Sequence, residues 1–309
     1  MLKISKVARN VPFWANSALG TINYRIKSNI NEKAFTPEIA NQCSTYFGKG
    51  KSIRPILLLM LSRYLNDTVN EGQQNIAMIA EMIHTSSLMH DDVVDQSDLR
   101  RGQKTANSNL GDKKAVLLGD FIFELKKLLQ NHQINDFHFS TRFSMMGIAM
   151  SELAKTNNND VIRSVSKILT DLVEGELLQA STKFNTKSWD IYLSKTFLKT
   201  GSLIANTSKA VAILSDCPNE SLIDDYYSIG KDIGIAFQII DDCLDFTSDD
   251  DVSGKPSQGA DIKMGLVTAP VLYAAEKYPK DVKNLIKEKD VSGLLELVKN
   301  SDSLSKSHF

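Results

Sequence analysis

The sequence predicts an all-α fold, and two observations carry that prediction. Apolar residues recur at helical spacing through most of the 309 residues, whereas the alternation of β-branched residues that marks strands is rare. The chain also contains only seven prolines, the residue that most strongly interrupts helices. With 42% hydrophobic and 24% charged residues, the chain has enough apolar side chains for one large core or two small ones.

Composition also argues against several classes of function. The net charge of −1 disfavours nucleic acid as a partner. No apolar run of about 18 residues occurs, so no transmembrane helix is predicted. The three cysteines, Cys43, Cys217 and Cys243, form neither a metal-spaced cluster nor a disulfide framework, which favours a reducing compartment.

The first segment, Met1–Asn31, contains basic residues and no acidic one. This composition is typical of a mitochondrial transit peptide. A basic first helix of the folded domain explains it as well, because Ile22–Ile30 fits the start of a folded helix. Both interpretations stay open on the sequence alone.

A basic loop followed by a helix is predicted at Phe47–Arg63. Pro55 suits the first turn of that helix, and leucines at helical spacing give it a buried stripe. Lys51 and Arg54 are expected on the loop just ahead of the helix. A helix N-terminus beside two cations is a candidate phosphate site, and a solvated basic loop is the alternative.

The most informative stretch is an aspartate motif, D-D-x-x-D, at Asp91–Asp95. It follows Asn75–Met89, whose apolar residues predict a helix buried along one face: Ile76, Ile79, Ala80, Ile83 and Leu88. If the helix continues, Asp91 and Asp95 lie one turn apart on one face. The carboxylates would repel one another unless a cation such as Mg²⁺ bound them. The alternative is a solvated acidic helix end.

The same spacing recurs at Asp241–Asp245, again after an apolar helical run, Ile233–Ile240. Two such motifs on two helices could face each other and hold several Mg²⁺ ions around one diphosphate. Arg100 and Arg101 follow the first motif closely, and paired arginines suit phosphate oxygens. The recurrence favours a metal–diphosphate site over two solvated helix ends.

The remaining elements are also predicted as helices joined by loops. Glu174 and Glu176 lie on one of these helices, either at the surface or next to a site that they support. Lys195 and Lys199 lie one turn apart on another helix, and the alternative there is an exposed row of lysines. The predicted helices are Gly111–Phe123 after an initial loop, Asp171–Gln179, Asp190–Ala205, Gly230–Asp245, Val267–Tyr278 and Leu285–Val298, with a loop at Asp249–Gly265 that contains Lys255.

Seven motifs between about Phe47 and Asp302 carry a family resemblance. They are, in order, GKGKSIRP, HTSSLMHDDVVDQSDLRRG, VLLGDF, DLVEGE, KTGSLIA, FQIIDDCLD and GKPSQGADIKMG. In this order they resemble the trans-isoprenyl (polyprenyl) diphosphate synthases. The phrase GADIKMGLVTAP is most similar to the mitochondrial long-chain enzymes, of hexaprenyl, solanesyl or decaprenyl type, that make the ubiquinone side chain.

The resemblance implies a single isoprenoid-synthase-type helical domain over residues 32–309, with helices around a deep central cavity. It implies a Mg²⁺-dependent enzyme that condenses an allylic diphosphate with isopentenyl diphosphate. It also implies a homodimer, or a heteromer with a related subunit. A mitochondrial location is expected for the ubiquinone-type enzymes, with a cytoplasmic one as the alternative.

Site residues follow from the resemblance position by position. The two motifs become metal ligands: Asp91, Asp92, Asp95, Asp241, Asp242 and Asp245. All of these except Asp245 are also expected to be catalytic, together with Arg100 and Lys199. Three cations are similar to the family's allylic-diphosphate ligands: Arg100, Lys199 and Lys255. Four residues are similar to its isopentenyl-diphosphate site: Lys51, Arg54, His84 and Arg101. Three match positions that line the reacting chain: Thr200, Phe237 and Gln238.

Product length is expected to depend on Ser86 and Ser87, which precede Asp91 by five and four residues. On a helix they lie one turn further along the face of Asp91. In the resembling short-chain enzymes a bulky aromatic often stands at one of these positions and closes the cavity. Two serines leave room, so products longer than geranylgeranyl diphosphate are expected.

Two departures from the family keep other interpretations open. About twenty residues, 124–143, interrupt a helix that is continuous in the family, and the family usually continues with further helices past the residue where this chain stops. An inactive or non-catalytic subunit of a heteromeric synthase is therefore an alternative, although all six aspartates are present. A terpene cyclase fits less well because of Lys51, Arg54 and Arg101, and no EF-hand loop supports a structural Ca²⁺-binding protein.

Overall fold

The computed structural model describes residues 11–33, 37–47, 52–94, 96–100, 103–119, 145–182, 189–247, 259–288, 290–301 and 303–307. Within these ranges nearly all regular structure is helical, and the strands are the two short arms of a hairpin, β1 (Leu99–Arg100) and β2 (Gln103–Lys104). The all-α prediction is confirmed. The predicted insertion at 124–143 lies outside the described residues.

Contacts divide the chain into two compact units. The first unit comprises Met1–Val165 and Thr207–Asp224, and the second comprises Ser166–Asn206 and Asp225–Phe309. The first aspartate motif belongs to the first unit and the second motif to the second unit. The central cavity implied by the family resemblance stays a prediction.

The first unit is built around one long helix that carries the first motif. Its helices are α1 (Phe13–Lys33), α2 (Pro37–Tyr46), α3 (Ile53–Asn66), α4 (Glu71–Val94), α5 (Ala106–Leu110), α6 (Asp112–Gly119) and α7 (Met145–Ala154). Helix α4 packs against α1, α3, α6 and α7. Its predicted apolar face is buried as expected, with Ile76, Ile79, Ala80 and Ile83 fully enclosed.

Helix α1 covers most of the basic N-terminal segment. Ile22, Ile26 and Ile30, spaced one turn apart, are fully buried, and Arg25 donates to Asn75 on α4 at 2.6 Å. The described part of Met1–Asn31 therefore contributes to the core of the first unit. A targeting role for this segment stays a prediction.

The rest of the chain continues with α8 (Asn159–Ser181), α9 (Trp189–Thr196), a π-helical segment (Phe197–Gly201), α10 (Ser202–Ile213) and α11 (Glu220–Thr247). The boundaries between the units fall within α8, α10 and α11. The C-terminal helices are α12 (Ala260–Lys263), α13 (Ala269–Lys277), α14 (Pro279–Glu288), α15 (Val291–Asn300) and α16 (Ser303–Lys306).

The core of the second unit lies where these C-terminal helices meet the end of α11. Phe246 is fully buried there with Val271, Val282, Leu294 and Val298. The predicted single helix Leu285–Val298 is wrong, because the chain forms two helices there. Asp290 starts the second of them, and its side chain accepts from the Gly293 N–H at 2.9 Å.

None of the described helices combines the length and the apolar character that crossing a membrane requires.

Candidate active site

The first aspartate motif stands at the C-terminal end of α4, where the middle carboxylate is buried. Asp92 is 1% exposed, and Asp91 beside it is half-buried. Asp95, the third residue of the motif, lies outside the described residues. The described helix runs to Val94, and its continuation through Asp95 stays a prediction.

A tight turn brings Arg100 back to Asp92. Gln96 adopts a left-handed conformation, φ 50°, and the Ser97 N–H donates to the Asp92 carbonyl oxygen at 2.9 Å. The hairpin β1–β2 then places the Arg100 guanidinium against the carboxylate. Its Nε lies 2.8 Å and 2.9 Å from the two Asp92 oxygens, and its Nη2 lies 2.7 Å from Oδ1.

Burial alone would lower the pKa of Arg100, but the hydrogen bonds and negative charge of Asp92 outweigh it and raise that pKa. The charge of Asp91 acts in the same direction. Arg100 therefore stays positively charged beside the motif. Two residues that the sequence assigned to one diphosphate site, Asp92 and Arg100, are thus in direct contact.

Tyr46, at the end of α2, is a partner of Asp92 that sequence reasoning missed. Its hydroxyl donates to Asp92 Oδ2 at 3.0 Å and accepts from the Ala106 N–H at the start of α5, also at 3.0 Å. Burial raises the pKa of Tyr46 to about 12, so the hydroxyl keeps its proton near neutral pH. It is separated from Asp92 by 46 residues, and no local pattern marks the pairing.

The other predicted residues of the first unit lie on α3 and α4. Arg54 is in the first turn of α3, not on the loop ahead of it as predicted, because the helix already begins at Ile53. His84 and Ser87 are half-buried, and the Ser87 hydroxyl donates to the His84 carbonyl at 2.9 Å. Ser86 is fully buried.

The second motif lies near the end of α11, and it too buries its middle carboxylate. Asp242 is 3% exposed and accepts from the Tyr192 hydroxyl at 2.7 Å and from Gln238 Nε2 at 2.8 Å. The backbone N–H of Ala269, the first residue of α13, also donates to it. Asp242 therefore accepts one of the N–H groups that the first turn of a helix leaves unpaired.

Burial raises the pKa of Asp242, and its hydrogen bonds only partly oppose that shift. Lys195, on α9, contributes through its charge; burial lowers the pKa of Lys195, and the charge of Asp242 partly offsets this. The Lys195 ammonium lies 5.6 Å from the centre of the Tyr192 ring. Lys195 is half-buried, so the exposed row of lysines considered from the sequence is wrong for this residue.

Asp241 and Asp245 flank Asp242 and are both half-buried. The Asp245 carboxylate accepts from the Asp261 N–H at 3.4 Å, and its carbonyl accepts from the Gly259 N–H at 3.3 Å. The end of the second motif thus contacts the chain just before and within the short helix α12.

Lys199 and Thr200 both lie in the π-helical segment, a geometry that often marks functional sites. Lys199 forms an ion pair with Glu176 on α8. The Thr200 hydroxyl donates to Gln238 Oε1 at 2.9 Å, and Gln238 in turn donates to Asp242. Two predicted substrate residues, Thr200 and Gln238, are therefore joined to the second motif in one hydrogen-bonded chain.

Two glycines allow the close approach of the π-helical segment to its neighbours. A Cβ on Gly175 of α8 would lie 2.7 Å from Lys199 Cγ, and a Cβ on Gly234 of α11 would lie 2.5 Å from the Gly201 Cα. Any larger residue at Gly234 would collide with backbone. The two glycines therefore allow the π-helical segment, and Lys199 within it, to pack directly against α8 and α11.

Four predicted site residues, Lys51, Asp95, Arg101 and Lys255, lie outside the described residues. Phe237 lies on α11, half-buried, next to Gln238. Within the part of the chain that the structure describes, no three His, Cys, Asp or Glu residues form a ready metal cluster. The roles of all these residues as ligands stay predictions.

Comparison with known proteins identifies the family. The family model described as Polyprenyl synthetase matches residues 36–299. The chain is 43% identical over 253 residues to the human protein named all trans-polyprenyl-diphosphate synthase PDSS1, covering 79% of this chain and 55% of that one. It is 38% identical to a probable hexaprenyl pyrophosphate synthase, mitochondrial, of Yarrowia lipolytica, covering 79% and 51%.

A solved structure gives the same answer for the fold. The heptaprenyl diphosphate synthase of Staphylococcus aureus aligns with a TM-score of 0.79 at 28% identity, covering 95% of this chain and 86% of that one.

The chain therefore belongs to the polyprenyl synthetase family, and the resemblance drawn from its motifs is confirmed. It spans about half the length of the human and Yarrowia relatives.

Proposed function

We propose that the chain is a trans-polyprenyl diphosphate synthase: a prenyltransferase that condenses an allylic diphosphate with successive isopentenyl diphosphate units. One observation carries the proposal. In both aspartate motifs the middle carboxylate is buried and held by hydrogen bonds, while the first, Asp91 or Asp241, stays half-buried beside it. This arrangement, repeated on two helices of a polyprenyl synthetase chain, suits two fixed groups of Mg²⁺ ligands for one diphosphate.

The donor chemistry fits Mg²⁺. This ion takes oxygen ligands and is usually held by one or two carboxylates together with waters and substrate phosphates, so a closed protein cage is not needed. We assign Asp91, Asp92 and Asp95 to the first metal group and Asp241, Asp242 and Asp245 to the second. Bound there, Mg²⁺ would neutralise the charge that develops on the departing diphosphate.

The chain's own cations would share that task. Arg100, Lys199 and Lys255 are assigned to the allylic diphosphate, where fixed positive charge stabilises the leaving group without reorganisation. Lys51, Arg54, His84 and Arg101 are assigned to isopentenyl diphosphate. Of the allylic ligands, Arg100 and Lys199 are already ion-paired with Asp92 and Glu176. Those ion pairs support cations that are positioned before substrate binds.

Thr200, Phe237 and Gln238 are assigned to the region that lines the reacting chain. Thr200 and Gln238 form a hydrogen bond with each other, so fewer of their polar groups are left to attract water. Exclusion of water matters in this reaction, because an allylic cation is quenched by it.

Product length is proposed to depend on the α4 face that precedes Asp91. Ser86 is fully buried and Ser87 half-buried, so Ser87 is the better position at which to add bulk. We expect wild-type products longer than geranylgeranyl diphosphate and shorter products from Ser87→Phe. Ser87→Ala is the matched control, since it removes the hydroxyl without adding volume.

The biological role is proposed to be the ubiquinone side chain, in mitochondria, by a homodimer or a heteromer with a related subunit. The Yarrowia relative's name, a mitochondrial hexaprenyl synthase, supports the location, although a prenyl transferase of Synechocystis also matches at 40% identity. A reporter fused to Met1–Asn31 tests it: mitochondrial import is expected, and a cytosolic reporter contradicts it.

The activity is tested by incubating the chain with farnesyl diphosphate, radiolabelled isopentenyl diphosphate and Mg²⁺, then separating the products by chromatography. A ladder of labelled products longer than geranylgeranyl diphosphate is expected. Asp241→Asn should greatly reduce these products, and Asp160→Asn, at an exposed aspartate far along the sequence from both motifs, is its control. A folded chain that incorporates no label would contradict the proposal and indicate an inactive subunit.

A further inference from the structure

Each aspartate motif receives a tyrosine hydroxyl on its buried middle carboxylate. Tyr46 donates to Asp92 Oδ2 at 3.0 Å in the first unit, and Tyr192 donates to Asp242 Oδ2 at 2.7 Å in the second. The two tyrosines come from different helices, and the surroundings of the two motifs otherwise differ. The repeated element is the phenol–carboxylate hydrogen bond.

Both tyrosines are themselves anchored by contacts away from the carboxylate. The Tyr46 hydroxyl also accepts from the Ala106 N–H, which fixes its orientation from the other side. Tyr192 is 4% exposed, and its ring meets the edge of Trp189 at 5.7 Å between centroids. Trp189 is held in turn by Tyr273 and by a 2.6 Å hydrogen bond to Glu276.

We infer that Tyr46 and Tyr192 are positioning residues, which hold the middle aspartates so that each motif presents its carboxylates to metal in one fixed arrangement. The inference rests on the proposed function, since it assumes that the motifs bind metal–diphosphate. A hydroxyl that donates to a carboxylate limits the rotation of that carboxylate. Outer partners of this kind commonly set the affinity of a metal site.

The two hydroxyls should not matter equally. Asp92 keeps three contacts from Arg100 when the Tyr46 hydroxyl is lost. Among the described contacts, Asp242 keeps hydrogen bonds from the neutral donors Gln238 and Ala269 when the Tyr192 hydroxyl is lost, and Lys195 acts on it through its charge. Loss of the Tyr192 hydroxyl should therefore weaken metal binding more.

The test is a titration of the full chain with Mn²⁺ in saturating inorganic diphosphate, followed by electron paramagnetic resonance. Tyr192→Phe and Tyr46→Phe remove one oxygen each and keep the ring. Tyr273→Phe is the matched control within the same aromatic group as Tyr192, and Tyr64→Phe, at a largely exposed tyrosine, is the control for Tyr46. Thermal unfolding without metal sets a titration temperature at which every variant is folded.

Tyr192→Phe is expected to weaken Mn²⁺ binding about tenfold and Tyr46→Phe by less, with both controls unchanged. In turnover assays, raising the Mg²⁺ concentration should restore the rate of the Tyr192 variant, which a loss of folded protein would not allow. Weakening by Tyr192→Phe and Tyr46→Phe no greater than in the controls overturns the inference. Failure of the wild-type chain to bind Mn²⁺ with diphosphate would instead count against the proposed function.

Discussion

The two aspartate motifs share a sequence pattern, but different groups surround their buried middle carboxylates. Asp92 faces the guanidinium of Arg100, a full positive charge in contact with both carboxylate oxygens. Asp242 accepts its described hydrogen bonds from a phenol, an amide and a backbone N–H, which are neutral, and the ammonium of Lys195 acts on it only through its charge. The attraction between Arg100 and Asp92 offsets part of the desolvation cost of burying both groups, whereas neutral donors offset less of the cost of burying a carboxylate.

The pKa directions follow that difference. Burial raises the pKa of Asp242, so the folded protein favours its neutral form more than water does. Arg100 instead has a raised pKa, because the ion pair with Asp92 outweighs its burial. The positive charge of Arg100 thus lies in contact with the first motif, whereas the buried carboxylate of the second motif is shifted towards its neutral form.

The largest expected effect is a loss of turnover when either motif is changed, because both motifs are proposed to serve the same reaction despite their different surroundings. Asp91→Ala and Asp241→Ala should each lower turnover by about a hundredfold or more, because each removes a ligand for the metal that neutralises the diphosphate. Incorporation of labelled isopentenyl diphosphate measures this, with Asp160→Ala as the control. Full turnover in EDTA, or full turnover by either variant, would contradict the proposal that both motifs bind metal needed for the reaction.

Removing the cation should separate the motifs in stability. Arg100→Met leaves the buried Asp92 charge without its partner and should lower the free energy of unfolding by about 2 kcal/mol, a value reduced because Arg100 is partly exposed. Lys195→Met near Asp242 removes a cation that burial already disfavours, so a change below about 0.5 kcal/mol is expected. Urea unfolding in EDTA gives both values. Equal losses would mean that Asp242 depends on a cation as Asp92 does.

Replacing each buried aspartate by asparagine should also destabilise the first motif more than the second, but the difference in the free energy of unfolding should be smaller. Asp92→Asn breaks the ion pair with Arg100 and should cost about 1–2 kcal/mol. Asp242→Asn should cost less, below about 1 kcal/mol, since its hydrogen-bond donors are neutral and burial shifts its carboxylate towards the neutral form. The measurement is the shift in urea midpoint. A larger loss at Asp242 would reverse the interpretation.

Thiol protection is the smallest effect and tests the burial itself. Cys243, next to Asp242, is buried, and burial raises its pKa to about 11; Cys43 in the first unit is buried too, with its pKa raised to about 12. At pH 8 both remain protonated, so iodoacetamide should modify the exposed Cys217 alone. Mass spectrometry reads the sites. Modification of Cys243 as fast as Cys217 would show an open second motif.

The sequence predicted these motifs well because they depend on local order. Periodicity located the apolar face of α4, and the D-D-x-x-D spacing located the two acidic motifs, which lie near the ends of α4 and α11. Tyr46 and Tyr192 were missed because they lie 46 and 50 residues from the carboxylates they contact. Only tertiary packing decides such pairs, and a tyrosine in a helical pattern looks like any core residue.

Two local features were missed for different reasons. The break between α14 and α15 carries a signal, since Asp290 is a favoured N-cap residue directly before an apolar helical stretch, and the apolar periodicity concealed it. The π-helical segment carries none, because Lys195 and Lys199 at a spacing of four are equally compatible with an uninterrupted α-helix.

That π-helical segment sets the phase of the whole helix from Trp189 to Ile213. Before it, Tyr192 reaches Asp242 on α11; after it, the Ser202 hydroxyl donates to Asp171 on α8 at 2.5 Å. Successive residues turn by about 100° around an α-helix, so deleting one residue here would rotate one of these partners out of reach. With this offset the helix contacts both neighbours, and Lys199, which is assigned to the allylic diphosphate, lies in the π-helical segment where the phase changes.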